Sequence, residues 1–228
     1  ELGRPLRILE ALRVGYRWAS DRLHRFALDG MAGHRKRLDG SRIGYTAYVE
    51  PEEGRGSGLL EALAADACVV VTDEFPCFFL PRMVEAAAEA VDVRLEVVDS
   101  NGLLPLRAAD RTYRSAYHFR RFLQKTLPDH LARFPDPRPL TGDPLPQAPP
   151  LPEGVRERWP PASDRVLEGG AAGLSSLPVD HEVPPVSATG GRPAGEARLE
   201  GFLADDLEHY ADERNDPDAD RGSGLSPY

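Results

Sequence analysis

The sequence predicts an α/β protein: a doubly wound parallel sheet, then a long proline-rich connection, then the opening of a helical domain. Three observations carry this. Cys68-Val69-Val70-Val71-Thr72 is a continuous, mostly β-branched run of the kind found in parallel strands covered on both faces. Strand and helix patterns alternate through the first hundred residues, the order that right-handed β-α-β crossovers require. The apolar residues are dense from Leu6 to Leu131 and sparse from Phe134 to Gly195, where most of the 22 prolines lie.

Taken in order, Leu6 to Ala11 predicts the first strand. Tyr16 to Asp21 leads into a helix with Leu23, Phe26, Ala27 and Met31 on one side. Ile43 to Val49 predicts a second strand. Gly54-Arg55-Gly56-Ser57-Gly58 has the look of a phosphate loop but fails both glycine-loop spacings, so the plain reading is a flexible turn with Ser57 near the cap of a helix over Leu59–Ala65. Asp73 and Glu74 follow the strongest strand at its carboxyl end, where ligand sites collect in open sheets; helix capping or a solvated turn is the commoner role. Pro81 to Val91 predicts an alanine-rich helix, and Val93 to Asp99 a further strand ending in Ser100-Asn101-Gly102.

Beyond the sheet, Arg107, Arg111, Arg114, Arg120, Arg121 and Lys125 surround Tyr113, Tyr117, Phe119 and Phe122. Such a segment suits nucleic acid or an anionic chromophore; a helix packed by its aromatics with solvated arginines is the more ordinary reading. From Phe134 to Pro161 periodicity disappears, as in an extended linker, and Trp159 is expected to anchor it. Asp180-His181 has no third ligand at a metal-binding spacing, so no metal site is expected.

Composition sets bounds on function. The 228 residues fit one or two domains, and 41 % hydrophobic residues suffice for a core. A formal charge of −9 carries no global basic footprint, which leaves only a local patch for polyanions. Cys68 and Cys77 form neither a zinc spacing nor a disulfide framework, which reads as a reducing, cytoplasmic setting. No run is long enough to span a membrane, and no signal-peptide pattern opens the chain. The first residues read as mid-domain, so truncation at both ends is expected.

The closing residues carry the most specific pattern. Leu199, Phe202, Leu203, Leu207 and Tyr210 recur at helical spacing and predict one buried stripe. Arg214-Asn215-Asp216-Pro217 predicts the stop. Arg221-Gly222-Ser223-Gly224-Leu225-Ser226 then offers backbone N–H groups and hydroxyls with little bulk, chemistry a phosphate can use.

With Gly190-Gly191 and Ala197 before it, and Ser-Pro-Tyr at 226–228 after it, this tail resembles the DNA photolyase/cryptochrome family, most of all the class II cyclobutane pyrimidine dimer photolyases. The upstream order agrees, and Val98-Asp99-Ser100-Asn101 resembles the family's last strand. The resemblance implies a Rossmann-like antenna domain over 1–105 lacking its first strand, a helix and interdomain linker over 106–189, and the start of an all-α FAD-binding domain over 190–228. It implies a deoxyribodipyrimidine photolyase that uses reduced FAD and light to split dimers in damaged DNA, or a cryptochrome-like photoreceptor on the same scaffold. Tyr210 matches a position at the flavin pocket, and Gly222, Ser223, Gly224, Leu225 and Ser226 the loop that holds the cofactor's phosphates. A second, antenna chromophore of unspecified identity, a monomeric state and no membrane partner belong to the same expectation. The electron-transfer and lesion-binding residues of the family follow the Ser-Pro-Tyr point, so no catalytic residue is assigned within the chain, and the piece alone is expected to hold flavin poorly and to repair nothing.

Overall fold

Two β-α-β units organise the chain, each in its own compact unit. A computed structural model describes residues 2–132, 136, 139, 145–219 and 221–228. One unit comprises Glu1–Ser57 with Leu145–Tyr228, the other Gly58–Pro144. The central part of the proline-rich stretch, residues 133–135, 137–138 and 140–144, lies outside the described residues.

In the first unit, β1 (Arg7–Leu12) pairs in parallel with β2 (Gly44–Val49), register Arg7↔Gly44 to Leu12↔Val49, across the 18-residue helix α1 (Asp21–Leu38). Acidic Asp21 opens α1 and Arg35, Lys36 and Arg37 close it, both favourable to the helix dipole. Its inward face is His24, Leu28, Met31 and Leu38. The expected stripe is therefore displaced by one residue: Leu23 faces solvent, because His24 is drawn inward by bonds from its ring to the carbonyls of Ser20 and Arg13, both 3.2 Å away.

The rest of this unit's core comes from much later in the chain. α5 (Glu153–Arg158), α6 (Asp164–Glu168) and α7 (Gly170–Leu174) follow an extended stretch, and Leu167, Leu174 and Leu177 pack with Leu28, Met31, Ala47 and Val49. Trp159 anchors the stretch as expected, 4 % exposed, its indole N–H donating to the Arg55 carbonyl at 3.0 Å. At Ala47 the free edge of β2 accepts the Ala162 N–H at 2.8 Å. That bond closes the edge where another strand would have joined.

In the second unit, α2 (Leu59–Ala64) precedes β3 (Val70–Asp73), α3 (Leu80–Ala90) and β4 (Leu95–Val98), with β3 and β4 parallel. The α/β class and the parallel pairing agree with the sequence reading. The single sheet does not form among the described residues: the strands make two pairs, β1-β2 and β3-β4. Nor is β3 covered on both faces, since Val71 is 57 % exposed; with one neighbouring strand its β-branched run has too little to bury against. α4 (Ala116–Thr126) completes this unit, its amide at His118 capped by Ser115 Oγ.

The glycine run at 54–58 is a turn held from within the first unit. Glu50, 2 % exposed, accepts the Gly56 N–H and the Val14 N–H, each at 3.1 Å. Ser57 does not cap the next helix; left-handed Gly58, φ 86°, stands at that position without a side-chain bond. Asp73 is no cap either, since its carboxylate accepts the Ser100 hydroxyl at 2.8 Å and joins the ends of β3 and β4. Glu74 pairs with Arg107 at 2.7 Å.

Candidate functional site

The closing segment sits on α1 because glycines let it. α8 (Arg192–Gly201) begins after Gly190-Gly191. A Cβ on Gly190 would stand 1.9 Å from the Phe26 carbonyl oxygen, and one on Gly191 3.0 Å from the Cα of Gly30. Gly191, φ 91°, is also in a conformation that side chains resist. The Gly190 N–H donates to Asp29 Oδ2 at 3.2 Å, and Asp29 Oδ1 holds Arg25 at 2.8 Å. One turn further, Gly195 leaves room for the ring of Tyr228, which hydrogen-bonds the Thr189 carbonyl at 3.1 Å and tilts against Phe26 at 5.5 Å. The end of the chain is thus folded back onto the start of α8.

Between these fixed points runs the loop 222–226. Arg198 donates from Nε to the Ser223 carbonyl at 2.9 Å and from Nη2 to the Gly222 carbonyl at 2.8 Å. In a planar trans peptide the N–H points opposite to the carbonyl, so the amides of Ser223 and Gly224 face away from Arg198. Among the described residues neither amide finds an acceptor. Gly224 is left-handed, φ 63°, and a Cβ there would meet Arg198 Nε at 2.6 Å. Two adjacent free N–H groups beside a left-handed glycine, backed by a guanidinium, are the ingredients of an anion-binding nest. The hydroxyl of Ser223 accepts the Leu225 N–H at 3.4 Å, a long and weak bond.

Tyr210 reaches this loop through a shared cation. It opens α9 (Tyr210–Glu213), its ring edge-on to Phe202 at 5.5 Å and under Arg214 at 5.5 Å. Arg221 ties the loop to the same segment, bonding Asp206 at 2.7 Å and Glu213 at 3.1 Å. Those two bonds, Asp206 first, hold its guanidinium above its ordinary range and use up its charge locally. Arg198 is left as the loop's own cation. The helix stops after Glu213, as the Asn-Asp-Pro run predicts.

The buried stripe is a correction. Phe202 alone of its five residues is buried; Leu199, Leu203 and Leu207 are 39–52 % exposed. The cause is a change in winding. From Phe202 to Asp206 the chain forms a π-helical turn, with the Leu207 N–H bonded to the Phe202 carbonyl at 2.8 Å, and the wider turn rotates later residues off the α-helical stripe.

Leu225 also lines a cavity of about 480 Å³ with Phe26, His34, Gly191, Arg192 and Leu199. His34 Nδ1 lies 2.9 Å from Glu10, whose other oxygen accepts the Tyr45 hydroxyl. Burial, and then that bond to Glu10, pushes the Tyr45 phenol up. Two residues that matter here escaped the sequence reading. Arg198 stood on the helix's polar side, and nothing local marked it as the loop's clamp. Glu50 stood among ordinary acidic turn residues. His181 meets Asp21 at 2.9 Å rather than its neighbour Asp180.

Taken by class, the site is a glycine-serine anion loop on a helical segment that follows an α/β unit. No family model matches the chain. It is similar to the deoxyribodipyrimidine photo-lyase of Methanothermobacter thermautotrophicus, 29 % identical over 231 aligned residues that take in all of this chain and 46 % of that relative. The chain therefore spans less than half the length of the relative it matches.

Proposed function

We propose that the chain is part of a light-driven DNA-repair lyase, a deoxyribodipyrimidine photolyase of the class II kind, built with the domain boundaries 1–105, 106–189 and 190–228. The observation that carries the reading is the similarity to a photo-lyase along the whole of this chain, in agreement with the Arg-Asn-Asp-Pro and Ser-Gly-Leu-Ser-Pro-Tyr runs. The loop's chemistry supports it. FAD carries a diphosphate, and the Ser223 and Gly224 amides, the hydroxyls of Ser223 and Ser226 and the Arg198 charge are donors of the right kind for one. Gly222 and Gly224 keep bulk away from it, Leu225 supplies an apolar wall, and Tyr210 lies one turn of chain from the cation that holds the loop.

In this reading the bound cofactor supplies the photochemical electron that opens a cyclobutane pyrimidine dimer, and the chain's part is placement. Arg198 holds the Gly222 and Ser223 carbonyls so that the amides point outward before any ligand arrives. Such preorganisation spares the cost of ordering the loop on binding. The dimer would have to leave the duplex to reach the site, at an unstacking cost of about a few kcal/mol. A second, antenna chromophore belongs to the same proposal.

The test is purification of the protein at its natural length, with a visible absorption spectrum and irradiation of dimer-containing DNA. A flavin spectrum together with loss of dimers under blue light, and none in the dark, is the expected result. Flavin without repair would move the protein to the photoreceptor reading, and no flavin would remove both.

A further inference from the structure

The basic segment before and along α4 takes no part in the loop site, yet it is the densest positive patch in an acidic chain. Arg107, Arg111, Arg114, Arg120, Arg121 and Lys125 stand against Asp110 in nineteen residues, while the whole chain carries −9. Arg107 is paired with Glu74 at 2.7 Å and Arg111 lies 3.9 Å from Asp110. Among the described residues, no carboxylate pairs with Arg114, Arg120, Arg121 or Lys125, and all four are exposed.

The helix sorts these groups by face. Tyr113, Phe119 and Phe122 pack ring on ring, with centroids 5.1–6.2 Å apart, and take up the apolar side. Tyr117, Arg121 and Lys125 follow at four-residue steps on the opposite side, one stripe about 12 Å long at the helical rise of about 1.5 Å per residue. Tyr117 is 62 % exposed and the Arg121 guanidinium lies 6.0 Å from its ring centre. A flat exposed ring between unpaired cations offers stacking and phosphate contact together.

We infer that this face of α4 is a nucleic-acid surface, with Arg114, Arg121 and Lys125 meeting backbone phosphates and Tyr117 stacking on a base of a single-stranded segment. Charge complementarity selects a polyanion, and the stripe favours nucleic acid over an anionic membrane. The helix's apolar side is occupied by its own ring cluster, so a membrane would find charge but little to insert, whereas a base finds an open ring.

The inference is independent of flavin and of dimers, so it is tested in the dark with an undamaged, fluorescently labelled 20-nucleotide strand and the corresponding duplex. Anisotropy is followed between 50 and 200 mM salt. The 228-residue chain binds the strand, and Arg121→Glu with Lys125→Glu weakens binding more than tenfold and lowers the log–log salt slope by about 1.4, the share of two phosphates. The milder pair Arg121→Gln with Lys125→Gln moves both in the same direction. Tyr117→Ala costs about tenfold on the single strand and less on the duplex. The control pair Arg37→Glu with Arg94→Glu, the same charge change elsewhere on the surface, costs less than threefold. Equal losses in the control pair, no binding by the unaltered chain at 50 mM salt, or tighter binding to phosphatidylserine vesicles than to the strand overturns the assignment.

Discussion

Gly190→Ala isolates the contact that seats the closing segment on α1. The new Cβ would stand 1.9 Å from the Phe26 carbonyl oxygen and 2.8 Å from its carbon. Both are main-chain atoms in the middle of a helix, so no side chain can swing aside. The segment must retreat by more than about 1 Å, and overpacking of this sort costs about 1–3 kcal/mol. The retreat also stretches the 3.2 Å bond from the Gly190 N–H to Asp29, for a further loss of about 1 kcal/mol. A total near 3 kcal/mol corresponds to a fall in melting temperature of roughly 6–12 °C. Gly201→Ala is the matched control. Nothing lies within 4 Å of its Cβ position and its backbone is helical, so alanine there stabilises by about 0.5–1 kcal/mol. Urea unfolding of the two variants beside the parent chain reads the contrast. A Gly190→Ala midpoint equal to the parent's would mean that α8 does not rest on α1 as described.

Other parts of the structure make separate demands. Arg198→Gln removes two bonds to loop carbonyls, so amide exchange at 222–226 should rise about tenfold while exchange in α1 stays as it was; unchanged loop protection would exclude the clamp. Trp159→Ala should cost about 3–5 kcal/mol in urea titration, since the ring is 4 % exposed and its N–H is bonded; a loss below 1 kcal/mol would exclude the anchor. Burial holds the His24 imidazole below its ordinary value and outweighs the two carbonyls and Asp21, which act the other way. The unfolded chain then takes up this proton first as pH falls. The stability tied to a neutral His24 is complete above about pH 6.5 and is lost as pH falls from there through the folded-state value. His24→Asn should flatten that acid-side slope, and an unaltered slope in unfolding at pH 5.5 to 7.5 would contradict it.

How much of this was legible depended on whether the determining neighbour was near in sequence. β1, β2, α3 and the stop at Asn215-Asp216-Pro217 follow from local pattern, and the structure has them within a residue or two of their expected bounds. The two-pair arrangement of the strands was not legible, because it depends on Ala162 bonding the edge of β2 from over a hundred residues away. The stretch from Phe134 to Gly195 read as poor in apolar residues, yet Leu167, Leu174 and Leu177 are among the most buried in the chain. Low density hid them, since three leucines among prolines show no period. In the loop, glycine and serine declared an anion site by their small size. Arg198, twenty-four residues earlier, declared nothing, because a clamp is defined by its geometry alone.

The first unit is assembled from two separate lengths of chain, and this sets an order of events at synthesis. When Ser57 has emerged, β1, α1 and β2 exist but the leucines that complete their core do not. The Gly58–Pro144 unit is made in the interval, with its own strands and helices in unbroken sequence, so it can settle first. Bringing the two lengths together then closes a loop of nearly ninety residues, an entropic cost of about 4 kcal/mol that falls before Leu167 and Leu174 return anything. Until then the inner face of α1 is an exposed apolar surface on a nascent chain. The glycines that seat α8 come last, so the anion loop is the final part of this unit to take shape.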